Sequence, residues 1–139
     1  MKILNYSIIV FALMLCSTVV NAQNPNGENE KVDVPEMAAK EADNLAKLFN
    51  LDEYQLFRVD SVLQANMAPM MEEMDKVKKS GASIQSSYQV VADKWLDETD
   101  RAFEKIFTQE QWTKYMKSAY GKEKKKRDKR MEARIPKAE

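Results

Sequence analysis

The side chains with the most chemistry to offer are four methionines. In "MAPMMEEM", Met67, Met70, Met71 and Met74 follow one another at spacings of three, one and three, so all four share one face of a helix. Three uses fit that pattern. Methionine fills irregular gaps in a core or a dimer interface, and does so well beside a proline bend such as Pro69 would introduce. Flexible thioether chains also suit an adaptable surface for unfolded clients. Thioether sulfur can ligate Cu(I) in an oxidising compartment. Packing asks least of the residues and ranks first, a client surface second and Cu(I) last. Tyr88 and Trp95 join the methionines as candidates for a client or dimer surface.

Other chemistry finds fewer side chains. The chain has no histidine and one cysteine, Cys16, which falls in a segment expected to be removed, so zinc, nickel and cobalt sites built on imidazole or thiolate lack their ligands. The acidic runs Glu72-Glu73-Asp75 and Asp97-Glu98-Asp100 read as solvated helix faces that hold a hard cation weakly at best. Ser80, Ser83, Ser86 and Ser87 have no identifiable activating partner, and no glycine-rich phosphate loop is present. The expectation is a protein without catalytic residues or cofactor.

The most informative pattern is a repeat. "LDEYQL" (Leu51, Asp52, Gln55, Leu56) and "FTQEQW" (Phe107, Thr108, Gln111, Trp112) share one form: apolar residue, oxygen-bearing residue, two variable residues, Gln, apolar residue. Asp52 or Thr108 can accept a hydrogen bond from a free amide in the first turn of a helix, and the Gln three positions on can reach back to the cap's own amide. The flanking apolar pairs hold the positions of a hydrophobic staple. The motif thus reads as architecture before it reads as a binding site.

The elements around it are helical throughout. Scarce Gly and Pro, abundant Ala, Leu, Met, Glu and Lys, and no convincing period of two favour an all-α domain over 33–121. A first helix opens at Asp33 or Val34 with Pro35 in its first turn, carries Ala38, Ala42, Leu45, Leu48 and Phe49 as one stripe, and stops at Asn50. A second runs from about Asp52 to Lys79, and Pro69 should bend it. After "SGAS" a third continues to Phe107, forming an antiparallel hairpin with the second. A last helix covers Gln109 to about Tyr120, with Gly121 as its stop. The expected architecture is therefore a bent long-helix hairpin with shorter flanking helices, about four in all.

Both ends have their own character. Residues 1–22 carry Lys2, an apolar run from Ile8 to Val20 and small residues at the end, the pattern of a secretory signal peptide cleaved after Ala22. The run is shorter than the ~20 residues that span a bilayer. Residues 23–32 form a polar, flexible leader. The span 23–121 holds 12 basic and 18 acidic residues, whereas 122–139 holds 9 basic and 4 acidic. That basic tail is expected as a frayed helix or a disordered end, with weak contact to an anionic membrane surface as its functional alternative. Export argues against nucleic acid as a target.

The paired motifs, the export signal and the helical pattern between them resemble the Spy/CpxP group of periplasmic proteins, whose hallmark is a repeated Leu-Thr-x-x-Gln motif introducing helices. Asp52 stands in place of Thr in the first copy and Phe107 in place of Leu in the second. The resemblance implies a small, exported helical protein that forms a cradle-like dimer. It implies an ATP-independent chaperone for partially unfolded envelope proteins, or an envelope-stress adaptor that recognises one folded partner.

Overall fold

A computed structural model describes residues 33–81 and 85–135. They form α1 (Val34–Phe49), α2 (Glu53–Lys79), α3 (Gln85–Ile106), α4 (Gln109–Lys117) and α5 (Ala119–Arg134), and no strand occurs among the described residues. The signal peptide with Cys16 and its cleavage point, the leader over 23–32, and Ile84 lie outside the described residues. No described helix is long and apolar enough to cross a membrane.

Local chemistry sets the helix ends. The Asp33 carboxylate accepts the Glu36 amide at 3.1 Å, Pro35 occupies the first turn of α1, and Asn50 closes the helix in the left-handed region at φ 55°. An asparagine reaches that region more cheaply than most residues. Ala38, Ala42, Leu45 and Phe49 of α1 are buried, as are Val59, Leu63, Met67 and Met70 of α2. α2 continues without interruption through Pro69 and ends at Ser80 and Gly81, whose φ of 71° suits glycine. α2 and α3 run antiparallel: Asn66 Nδ2 donates to Thr99 Oγ1 at 2.9 Å, and Lys94 meets Glu73 at 2.6 Å further along. α1 packs on α2, and α5 lies against α3.

Among the described residues the helix count is five rather than about four, and the difference lies at the C-terminal end. The break falls at Ser118, which is extended (φ −77°, ψ −179°), and α5 then runs through Gly121. Gly121 is therefore no stop. It is buried, and a Cβ there would sit 2.4 Å from Met116 Cα, so glycine is required by the close approach of the preceding backbone.

Of the two expectations for the tail, a helix or a disordered end, the same helix takes the first, and it is packed rather than frayed. Residues 122–134 are helical because Arg127, Arg130 and Arg134 fall on one face and meet a matching acidic stripe on α3. Asp100 pairs with Arg127, with both side chains 6% exposed. Asp93, also buried, takes Arg130 at 2.6 Å and Arg134 at 2.9 Å. The run Asp97-Glu98-Asp100 is thus no uniform solvated face: Asp97 and Asp100 are buried and only Glu98 is exposed. Burial pulls the Arg127 guanidinium below its ordinary value, against the fields of Asp128, Asp97 and Asp93. The Asp93 hydrogen bond holds Arg130 above its own.

Candidate functional site

The two repeats meet. Each closes its own capping box: Gln55 N donates to Asp52 Oδ1 at 2.7 Å and Asp52 N to Gln55 Oε1 at 3.1 Å, while Gln111 N donates to Thr108 Oγ1 at 3.3 Å and Thr108 N to Gln111 Oε1 at 2.8 Å. The two glutamine amides then pair with each other. Gln55 Nε2 donates to Gln111 Oε1 at 2.8 Å, and Gln111 Nε2 donates to Gln55 Oε1 at 3.0 Å. The second hydrogen of each amide goes to a helix-end carbonyl, Gln55 to Ile106 O at 2.9 Å and Gln111 to Asn50 O at 3.1 Å. Every donor and both acceptor sites of each side-chain amide are occupied, so neither is left to recruit a ligand.

This clasp joins the α1–α2 corner to the α3–α4 corner. Beside it stands an aromatic cluster. Phe107 packs on Trp112 at 6.4 Å between ring centroids, the staple of the second motif, and on Phe103 at 5.5 Å. Phe49 lies 5.4 Å from Tyr115, which stacks on Trp112 at 5.1 Å and on Tyr120 at 5.5 Å. Their hydroxyls reach acids on other helices: Tyr115 donates to Asp100 at 2.5 Å and Tyr120 to Glu41 at 2.7 Å. Burial pushes both phenols above their ordinary value, with the Glu41 charge adding to the shift. Burial also raises the Glu41 carboxyl, and the bonds from Tyr120 and Asn44 offset this in part.

The methionine face divides between two environments. Met67 and Met70 are fully in the core, whereas Met71 and Met74 are half-buried. Met67 and Met70 are therefore removed from the candidate client or dimer surface, because the phase of α2 turns them toward its packed side. Tyr88 and Trp95 are half-buried as well, and the Lys94 ammonium lies 4.6 Å from the Trp95 ring centroid. Among the described residues no group of three or more His, Cys, Asp or Glu side chains could hold a metal ion.

Comparison with family models, curated proteins and solved structures finds no match to this chain.

The open apolar surface lies elsewhere, on residues the sequence reading passed over. Tyr54 and Phe57, one turn apart at the start of α2, are each 68% exposed. Their signal was phase: both fall off the stripe through Val59, Leu63 and Met67 that α2 buries. Beside them is a shallow hollow between α1 and α2, floored by Ala39, Ala42, Leu56 and Phe57. Gln55, in the same turn, anchors this part of α2 through the clasp, so the two aromatic rings stand on a fixed support.

Proposed function

We propose that this chain is an exported, chaperone-like protein of the Spy/CpxP type that holds partially unfolded envelope proteins on an apolar surface without nucleotide. The observation that carries the reading is the pair of exposed aromatics, Tyr54 and Phe57, on a helix start held rigid by the clasp. Rigid aromatic side chains give large contact area for little ordering entropy, and an exposed aromatic patch marks an interaction surface. Covering an apolar segment of a client lowers the concentration of the species that aggregates.

Half-buried Met71, Met74, Tyr88 and Trp95 extend the proposal to a cradle-like dimer, in which a second copy completes their burial. Sedimentation across a concentration series tests that part. For the activity, light scattering with two unrelated unfolding clients is the decisive measurement. Suppression near equimolar protein by the parent, lost in Y54S/F57S at unchanged melting temperature, is the expected result. Absence of suppression by the parent overturns the reading. Binding of a single folded protein at fixed stoichiometry would replace it with the adaptor.

A further inference from the structure

The hollow beside Tyr54 and Phe57 offers more than apolar contact. Its polar lining consists of three carboxylates, Asp43 from α1 and Glu53 and Asp60 from α2, with no cationic side chain among the lining residues. Asp60 adds an independent sign. Its Oδ2 accepts Gln64 Nε2 at 2.7 Å, while its Oδ1 is shut off from solvent and meets no donor. A buried acceptor without a donor is destabilising, so the Asp60 carboxylate gains by turning toward a ligand that brings a donor into the hollow. The exposed ring next door already draws a cation, since the Arg58 guanidinium lies 5.7 Å from the Tyr54 centroid.

We propose that this hollow takes a lysine- or arginine-bearing apolar segment of a client polypeptide. The side chain's aliphatic stem lies along Phe57, Ala39 and Ala42, and its charged head lies among Asp43, Glu53 and Asp60. The inference rests on the chaperone reading and assigns it a class of client. A metal ion is the poorer occupant, because among the described residues no three carboxylates are grouped closely enough to hold one. A long cationic side chain, apolar along its stem and charged at its tip, matches that distribution. The chain's own residues 23–32 are a poor match, with two glutamates against one lysine. The exposed side of α5 presents lysines such as Lys122, Lys125 and Lys129 without a large apolar partner before Ile135, so a second copy's α5 supplies only half of what the hollow asks for.

Fluorescence anisotropy with three labelled peptides tests this on the whole mature chain: a Leu/Lys peptide, the same with Glu for Lys, and the same with Ser for Leu. The parent should bind the Leu/Lys peptide at least tenfold more tightly than either variant peptide. D43N/E53Q/D60N should erase the difference between Lys and Glu peptides, and D43N alone, at an exposed position, should reduce it without touching the fold. Equal binding of the Lys and Glu peptides by the parent overturns the charge preference and leaves the chaperone reading standing. No binding of any peptide, with aggregation of whole clients still suppressed, moves client binding to another surface and overturns the proposal. Self-association of the parent that D43N/E53Q/D60N abolishes assigns the hollow to a second copy and likewise overturns it. Failure of both peptide binding and suppression removes the chaperone reading together with the inference.

Discussion

Two of the seams between helices are built from opposite materials. Between α1 and α2 the seam is apolar, with Ala38, Ala42 and Leu45 buried on α1 and Val59 and Leu63 buried on α2. Between α3 and α5 it is made by Asp93 and Asp100 against Arg127, Arg130 and Arg134, on a helix whose exposed side is almost wholly charged. The apolar seam tolerates a change of partner shape but resists any change of polarity. The ionic seam specifies its partner closely, and it fails badly when one member is lost, because the other charge stays buried.

The largest effect should come from breaking that ionic contrast at its centre. Asp100→Ala leaves the Arg127 guanidinium and the Tyr115 hydroxyl without their acceptor and should cost about 3–5 kcal/mol in denaturant unfolding. Leu45→Ala in the apolar seam belongs in a range of about 2–5 kcal/mol, set by how far the cavity collapses. Asp93→Ala should cost less than Asp100→Ala, since Arg130 and Arg134 are 35% and 36% exposed and can turn to water.

Alkali probes the two tyrosines that lie between the seams. The folded chain keeps the Tyr115 and Tyr120 protons that an unfolded chain gives up near its ordinary value of 10.0, so stability should fall as pH rises past about 10. Y115F and Y120F should each lessen that fall, measured as melting temperature against pH. Glu41 acts at the acid end with the same sign. Its carboxyl is raised from 4.5, so its contribution declines as pH rises through the window above that value, and E41Q should flatten that part of the curve.

Smaller effects probe the corners. Gly121→Ala should destabilise by about 1–3 kcal/mol, as the added Cβ forces α5 away from Met116. Gln55→Ala and Gln111→Ala should show a coupling of about 0.5–3 kcal/mol in a double-mutant cycle, and additivity would break the clasp account. Asp52→Ala and Thr108→Ala should each cost about 1 kcal/mol, and melting equal to the parent would remove capping as the motif's role.

What the sequence made legible was local. The starts of α1, α2 and α4 follow from Asp33, Asp52 and Thr108 because a cap and its partner lie within one turn. Buried stripes follow from spacing alone, and with them the all-helical fold. The pairing of Gln55 with Gln111 did not follow, since nothing local joins positions in different helices, although the repetition of the motif was its trace. The α3–α5 seam was hidden for another reason. Stripes of charge ordinarily face water, so Asp93, Asp97 and Asp100 look solvated until a second stripe of opposite sign at matching helical spacing is set against them. Arg127, Arg130 and Arg134 form that second stripe. In the candidate site, Tyr54 and Phe57 could have been found as apolar residues out of phase with the core, while the methionine spacing gave one face without telling which half of it would be covered.

The clasp also has a consequence in time. A chain made from its N-terminus presents α1, α2 and α3 while the Gln55 amide still lacks the partner it will meet at Gln111. Until that residue has appeared, the Gln55 amide has only the Ile106 carbonyl at the end of α3 to bond across the corner. The rings of Tyr54 and Phe57 then stand on a support that is not yet locked. The exposed aromatic pair acquires its rigidity last, from a residue far along the chain.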